Sequence, residues 1–252
     1  MKQIILPDSY SGEIEYILTG ETFHHLVRVF RAQEGDSFSA IDREENRYTA
    51  TIASIDADSC TIRLVPKQQN DPNMPPVYLY QCLLKGKKMD QTIRQSIEAG
   101  ITDFIPVQSS HCVAKIENPQ KKQTRWKKIV EEAVIQSGRD SIPDIQNCIR
   151  IQDIPALHKE REFGVFFHEY PLENSGLHSY LSKYPKEVSV LIGPEGGFSQ
   201  KEVSELLEKN WSPGYLGNTV LRAETATVFA LGAIQIILQE RTSWQLKQPM
   251  KK

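Results

Sequence analysis

Hydrophobic and polar residues alternate with a period of two over the first part of the chain. Residues 47–65 alternate around a polar turn at 56–59, which is typical of a β-hairpin, and a further strand is predicted just before them. The segment 66–76 is rich in Pro, Asn and Gln and has no periodicity, which indicates a linker. We therefore predict a β domain over residues 1–70, a linker at 71–76 and a second domain over 77–252.

Strand and helix patterns alternate in the second domain. Helices are predicted over 89–99, closed by Gly100, and over 119–137, where apolar residues form a stripe at helical spacing. The last helix is apolar nearly all round after Val228, so it is either deeply buried or packed against another subunit. Four short apolar runs are bounded by turn residues and predict buried parallel strands, at 77–84, 101–107, 163–169 and 188–193. The resulting class is α/β, with a small N-terminal β domain before an open, mostly parallel sheet.

The charge is uneven along the chain, although the net charge is only −2. Residues 85–150 carry 12 Lys or Arg against 8 Asp or Glu, a basic region that either binds a polyanion locally or forms solvated helix faces. No apolar run is long enough to span a membrane, and the N-terminus does not resemble a signal peptide. The 4 cysteines are scattered without metal-ligand spacing, so we expect no metal, buried inert thiols and a cytoplasmic protein.

A glycine-rich loop follows the last predicted strand in the stretch VLIGPEGGFSQKEV, residues 190–203. Its glycines permit close approach of a ligand, and Ser199 with Glu202 predicts a capping box that starts a helix. The loop lacks the Lys-Ser/Thr of a phosphate-binding loop and the GxGxxG spacing of a dinucleotide fold, and Glu195 would repel phosphate. It suits a neutral or cationic ligand, or else it is a tight structural turn.

A second loop at Leu216-Gly217-Asn218 leads to another predicted helix start. Glu224 in the first turn has a structural explanation, since a carboxylate there complements the helix dipole. Arg222 lies between an apolar strand end and the helix, where a contact with a ligand, a substrate phosphate or a partner subunit explains it better.

The stretches LIGPEGGFSQKE and LGNTVLRAETA together resemble the signature of the knotted SPOUT methyltransferases, in particular the small-subunit rRNA methyltransferase E family, which methylates N3 of a uridine in 16S ribosomal RNA. Further stretches are similar to the same family: FHHLVRVFRAQEGD, LLKGKKMDQTIRQSIEAGI and RWKKIVEEAVIQSGR. The resemblance implies a PUA-like β-barrel domain for RNA binding, followed by a SPOUT α/β domain that ends in a trefoil knot. It also implies a homodimer formed through the knot domain.

The resemblance further implies S-adenosyl-L-methionine as cofactor, 16S rRNA of the small ribosomal subunit as partner, and specific site residues. Arg222 is expected to orient the uracil or stabilise its negative charge, and Glu224 is a weaker candidate for the base. The cofactor-binding residues are expected to be Ile192, Gly193, Glu195, Gly196, Gly197, Leu216, Gly217 and Leu221. The RNA-binding residues are expected to be Arg28, Arg31, Lys85, Lys87, Lys88 and Arg94, with solvated surface charge as the alternative for the lysines.

Three other functions compete with this interpretation. A non-catalytic RNA-binding protein would use the glycine loop only as a turn. A nucleotide-dependent transferase or kinase is disfavoured by the missing phosphate-loop lysine. A related SPOUT enzyme acting on transfer RNA or on a ribose 2′-oxygen shares the knot loops, and only the N-terminal stretch FHHLVRVFR separates it from the first interpretation.

Overall fold

The structure is a computed structural model that describes residues 3–67, 74–158, 160–168 and 176–240. The described residues form two compact units. One contains the described part of residues 1–71 together with Val130–Ile142, and the other contains the remainder. Residues 68–73, which include the first half of the linker predicted at 71–76, lie outside the described residues, so the exact division there stays a prediction.

The first unit is built on a five-stranded sheet. In order across the sheet, its strands are β1 (Gln3–Ile5), β3 (Ser37–Ile41), β4 (Arg47–Ile55), β5 (Ser59–Pro66) and β2 (Glu15–Thr19). Strands β1 and β3 pair in parallel and all other neighbours pair antiparallel. The predicted hairpin is confirmed, since β4 and β5 flank the turn after Ile55. The stretch FHHLVRVF follows β2 as a helical turn, α1 at Gly20–Phe23, that continues as a π-helix at His24–Val29.

Residues 130–142 cluster with this β unit because polar contacts attach them to it. Arg43 Nη1 lies 2.7 Å from Glu131 Oε1, and Arg47 Nη1 lies 2.9 Å from Asp140 Oδ2. The buried Gln3 amide also donates to the Arg139 carbonyl at 2.7 Å. The sequence predicts this segment as part of the second domain. Ion pairs between residues that are far apart in the chain leave no periodic pattern, so the sequence does not reveal these contacts.

The second unit contains a parallel sheet with the order β12-β10-β11-β6-β7-β8, and β9 also pairs with β7. All of its strand pairs are parallel, which confirms the predicted sheet type. The central strands β10 and β11 are apolar along nearly their whole length because helices and loops cover both faces. The elements are β6 Val77–Cys82, α2 Lys87–Glu98, β7 Asp103–Gln108, α3 Pro119–Ser137, β8 Asp144–Ile145, β9 Ile149–Arg150, β10 Glu162–Phe167, α4 Leu177–Leu181, β11 Glu187–Ile192, α5 Gln200–Glu208, β12 Ser212–Gly214 and α6 Ala223–Gln239.

The last helix, α6, packs one face against the core through buried polar contacts as well as apolar ones. The Thr227 hydroxyl lies 2.6 Å from Gln81 Oε1 on β6, and both residues are fully buried. One helical turn past the middle of α6, the Gln235 amide donates to the Gly100 carbonyl at 2.9 Å. The opposite face keeps Phe229 and Ile236 exposed at 57% and 58%. One face of α6 is therefore buried, whereas the face that carries Phe229 and Ile236 is not covered by the described residues.

Three of the four cysteines are buried. Cys60, Cys82 and Cys112 are buried as predicted, but the prediction was wrong for Cys148, which is exposed in the turn between β8 and β9. Among the helices of the described residues, none combines the length and apolar character that crossing a membrane requires. The trefoil knot stays a prediction.

Candidate functional site

The two loops singled out in the sequence meet at one edge of the parallel sheet. Strands β10, β11 and β12 run in the same direction, so their carboxyl ends lie together, which is where open α/β sheets bind ligands. The edge contains a cavity of about 290 Å³. Its lining includes most of the predicted cofactor residues, namely Ile192, Gly193, Glu195, Gly197, Leu216, Gly217 and Leu221, together with Phe167, His168, Pro194, Tyr215, Thr219, Val220, Arg222, Ala223 and Ala226.

The first loop, residues 193–199, is shaped by its glycines. Gly197 has a φ of +67°, a conformation that favours glycine. Gly196 is the one predicted cofactor residue that does not line the cavity, and its carbonyl oxygen lies 3.0 Å from His111 Nδ1 instead. The loop is thereby fixed to the segment that follows β7, so Gly196 has a structural role in this arrangement.

The predicted capping box is confirmed where this loop enters α5. The Ser199 hydroxyl accepts a hydrogen bond from the Glu202 backbone N–H, and the Glu202 carboxylate accepts one from the Ser199 backbone N–H at 2.8 Å. The same carboxylate accepts from the backbone N–H and the hydroxyl of Ser110, at 2.8 and 2.9 Å. Burial raises the pKa of Glu202, but these hydrogen bonds outweigh burial and leave the pKa below its ordinary value of 4.5. Glu202 therefore joins the start of α5 to the loop after β7.

The second loop, residues 215–222, places Arg222 beside the cavity. Gly217 has a φ of +107°, so the bend there requires glycine. The loop ends at Arg222, which occupies the N-cap position of α6 with an extended backbone and makes no side-chain cap hydrogen bond. Its side chain is left to line the exposed side of the cavity, which agrees with a role towards a ligand.

Glu224 does not line the cavity but is linked to it through Lys88. The Lys88 ammonium group lies 3.4 Å from Glu195 Oε1 and 3.5 Å from Glu224 Oε2. Glu224 is largely buried, with 16% of its side chain exposed, and its Oε2 makes no hydrogen bond within the described residues. One lysine of α2 thus bridges the glycine loop and the first turn of α6.

The other predicted RNA-binding residues lie on exposed surface in both units. Arg28 and Arg31 are exposed in and after the π-helix of the first unit, and Arg28 Nη2 donates to the Ala57 carbonyl at 3.4 Å. In the second unit, Lys85, Lys87 and Arg94 are exposed on α2 or just before it. Lys88 differs from them because its ammonium group contacts two carboxylates. No described residues form a cluster of three His, Cys, Asp or Glu side chains suited to a metal ion.

Comparison with known proteins assigns both units to domain families. Residues 71–235 match the family model described as an RNA methyltransferase domain. Residues 18–65 match the model described as an RNA methyltransferase PUA domain. The chain is therefore an RNA methyltransferase with a PUA domain before its catalytic domain, as the sequence predicted.

Comparison with individual proteins shows which family of RNA methyltransferases the chain belongs to. The chain is 32% identical over 229 residues to ribosomal RNA small subunit methyltransferase E of Bacillus subtilis, covering 87% of this chain and 89% of that protein. A methyltransferase from Legionella pneumophila, solved with bound S-adenosylmethionine, is 27% identical with a TM-score of 0.79, covering 93% of this chain and 96% of that one. The fold is also similar to that of ribosomal RNA small subunit methyltransferase E from Neisseria gonorrhoeae, with a TM-score of 0.81 and 24% identity. The match covers 94% of this chain and 98% of that one. The chain belongs to the ribosomal RNA small subunit methyltransferase E family.

Proposed function

We propose that this protein transfers a methyl group from S-adenosylmethionine to N3 of a uridine in the 16S RNA of the small ribosomal subunit. The observation that carries the proposal is the cavity at the carboxyl edge of the sheet, where both signature loops converge and Arg222 lies alongside. The family relationship supplies the kind of reaction, and the cavity supplies a place for it. The cytoplasm is the compartment in which such a protein would meet its substrate.

The lining of the cavity fits S-adenosylmethionine. It consists mainly of backbone and apolar side chains; Glu195 is its one carboxylate and Arg222 lies at its exposed side, with no lysine among the described lining residues. A carboxylate favours a cationic ligand and disfavours a phosphate, and the apolar lining suits a neutral adenine. When bound, the cofactor supplies a methyl group on a positively charged sulfur. Ile192, Gly193, Gly197, Leu216, Gly217 and Leu221 would hold it through their backbone and side chains.

The roles of Arg222 and Glu224 follow from what the transfer requires. N3 must give up its proton to bond to the methyl carbon, so negative charge develops on the uracil as the proton leaves; the bond from that carbon to the cofactor's sulfur would break, with its electron pair left on the sulfur. Arg222, at the exposed side of the cavity, stabilises that charge and orients the base. Glu224, whose Oε2 lies 3.5 Å from the Lys88 ammonium group next to the cavity, is the proposed acceptor of the N3 proton. The uridine must be unpaired to present N3, because this atom lies on its Watson–Crick edge.

Methyl transfer to small-subunit particles isolated from a strain lacking the gene tests these roles. We expect Arg222→Ala to lower kcat by about a hundredfold, and Glu224→Gln by at least about tenfold, because each removes a group that acts in the transition state. Thr225→Ala provides the control, since Thr225 is exposed on the same turn of α6. Binding of the cofactor, followed as a thermal shift, should survive in all three variants. Normal turnover in both variants of the charged residues would contradict the assignment.

Mapping of the labelled nucleoside tests the substrate. N3-methyluridine in 16S RNA is the expected product. Label on a ribose oxygen, or only on transfer RNA, would support a related knotted methyltransferase with another target. No transfer at all, together with no thermal shift by S-adenosylmethionine, would leave the non-catalytic RNA-binding function.

We further propose that the protein acts as a homodimer through α6. The exposed apolar face of this helix supports the proposal, because large apolar side chains such as Phe229 and Ile236 stay in water in the single chain. A second copy that covers this face would remove them from water and explain why α6 is apolar nearly all round.

A further inference from the structure

A second concave surface in the methyltransferase unit lies outside the cofactor cavity. It is a groove of about 610 Å³, formed by the residues after β6, the residues before α3 and the first turns of α3. Met89 and Trp126 are buried at its apolar base. Its charged lining, which we call the cationic groove, consists of Lys85, Lys115, Lys121, Lys122 and Arg125, with Glu117 as the one carboxylate.

The charge of the groove is a local feature and does not reflect the chain as a whole. The chain carries 30 basic and 32 acidic residues, whereas the groove has five cations against one carboxylate. Arg125 is paired with Asp90, but within the described residues the four lysines make no ion pair. The cations come from three separate segments that converge, so a single solvated helix face does not account for them. Such a surface fits a polyanion.

The shape of the groove favours an extended chain over a small ion. A neighbouring cavity of about 510 Å³ shares Lys115, Ile116 and Trp126 with it, so the two lie side by side. The second part is lined by the amide side chains of Gln108, Gln123, Gln146 and Asn147, each of which also makes a hydrogen bond within the protein and keeps further donor or acceptor capacity. Amides can donate and accept hydrogen bonds at the edges of bases, whereas lysines bind phosphates without regard to sequence. This combination fits a strand of RNA.

The cationic groove is connected to the cofactor cavity through one short segment. Lys85 and Gly86 line the groove, and the next residues begin α2. Lys88 in that first turn lies 3.4 Å from Glu195, which lines the cofactor cavity. RNA in the groove would therefore contact the segment whose Lys88 reaches the lining of the cofactor cavity.

We propose that the cationic groove binds the phosphodiester backbone of the substrate RNA beside the target nucleotide, with Lys115, Lys121 and Lys122 as positioning residues. This inference rests on the proposed function, because it names how the same enzyme holds its substrate. It also moves the expected RNA contacts away from Lys88, whose ammonium group lies between Glu195 and Glu224, towards lysines of the basic region at 85–150 that were not among the expected RNA-binding residues.

The test compares two double variants with the same change of charge. Lys121→Ser with Lys122→Ser removes two groove cations. Lys183→Ser with Lys186→Ser removes two exposed lysines near the start of β11, at the amino end of the sheet. For the groove variant we expect KM for the small-subunit particle to rise roughly tenfold with little change in kcat. The slope of log Kd against log salt, measured with a labelled single-stranded RNA, should fall by about 1.4, which corresponds to two lost phosphate contacts. The control should match the wild type.

Further measurements separate the possible failures. A Lys121→Arg, Lys122→Arg variant should restore KM, because it keeps the charge. An unchanged salt slope in the serine variant, or an equal loss in the control, would overturn the groove assignment. So would complete displacement of the RNA by millimolar inorganic phosphate, which would indicate a site for a small anion. If the wild type itself neither binds S-adenosylmethionine nor methylates particles, the proposed function fails instead, and the RNA titration still reports on the groove.

Discussion

At the scale of single residues, the structure changes the expected role of Lys88 more than that of any other predicted site residue. The sequence suggested an RNA contact, because Lys88 stands in a basic run at the start of a helix. Its ammonium group instead lies between Glu195 and Glu224, which are 107 and 136 positions away along the chain. Without this cation two carboxylates would face each other beside the cofactor cavity, and Glu224 would keep a buried charge without a partner. Lys88 is therefore a positioning residue for both.

Replacement of Lys88 distinguishes a role in positioning Glu195 and Glu224 from a role in binding RNA. We expect Lys88→Met to lower kcat by about ten- to a hundredfold and leave KM for the particle nearly unchanged, because misplacement of a catalytic group slows the reaction more than it weakens binding. The free energy of unfolding should also fall, since the largely buried Glu224 loses its cation. Lys183→Met is the control, because Lys183 is an exposed lysine that lines neither the groove nor the cofactor cavity. A raised KM with normal kcat would return Lys88 to the RNA contacts.

At the scale of elements, Glu202 makes the junction between the glycine loop and α5 sensitive to pH. Its folded-state pKa lies below its ordinary value of 4.5, so the ionised form is favoured by folding. This contribution to the free energy of unfolding is fully present above about pH 4.5 and is lost as the pH falls through the lowered pKa. We expect Glu202→Gln to cost about 1–3 kcal/mol at pH 7, and the difference from the wild type to shrink below pH 4.

Urea unfolding at a series of pH values measures this difference. Glu205→Gln on the same helix is the control, because Glu205 makes only a surface pair with Lys201. A penalty for Glu202→Gln that stayed constant from pH 7 to pH 3 would show that shape, and not the charge, stabilises the junction.

Local signals in the sequence predicted the elements that rest on periodicity and capping. The stripe of α3 predicted its bounds of 119–137, and the Ser199–Glu202 pair predicted the start of α5. The two-residue strands β8 and β9 were missed because they are too short to show an alternation. The position of Arg222 beside the cavity was anticipated. The sequence also indicated a basic region at 85–150, but not that the fold brings Lys85 together with Lys115, Lys121 and Lys122 around one groove.

At the scale of the whole molecule, the exposed face of α6 determines the expected assembly. The buried face of α6 is held by Thr227 and Gln235, so the helix cannot turn its other side inward. Phe229 and Ile236 then remain in water unless a second copy covers them. Burial of such side chains stabilises an interface by about 1.5–3 kcal/mol each. The proposed dimer is thus a consequence of how α6 is fixed to its own sheet.

Sedimentation of the purified protein tests this assembly. We expect a dimer for the wild type and a monomer, or a dimer weakened at least about a hundredfold, for Phe229→Ser with Ile236→Ser, since together they remove roughly 3 kcal/mol or more of apolar burial. Val65→Ser with Val113→Ser is the control, because both valines are exposed outside α6. If the α6 variant sediments as the wild type does, α6 is not the interface. If the wild type is a monomer at micromolar concentration, the exposed face needs another partner, and loss of methyl transfer in the α6 variant would then point to the ribosomal particle itself.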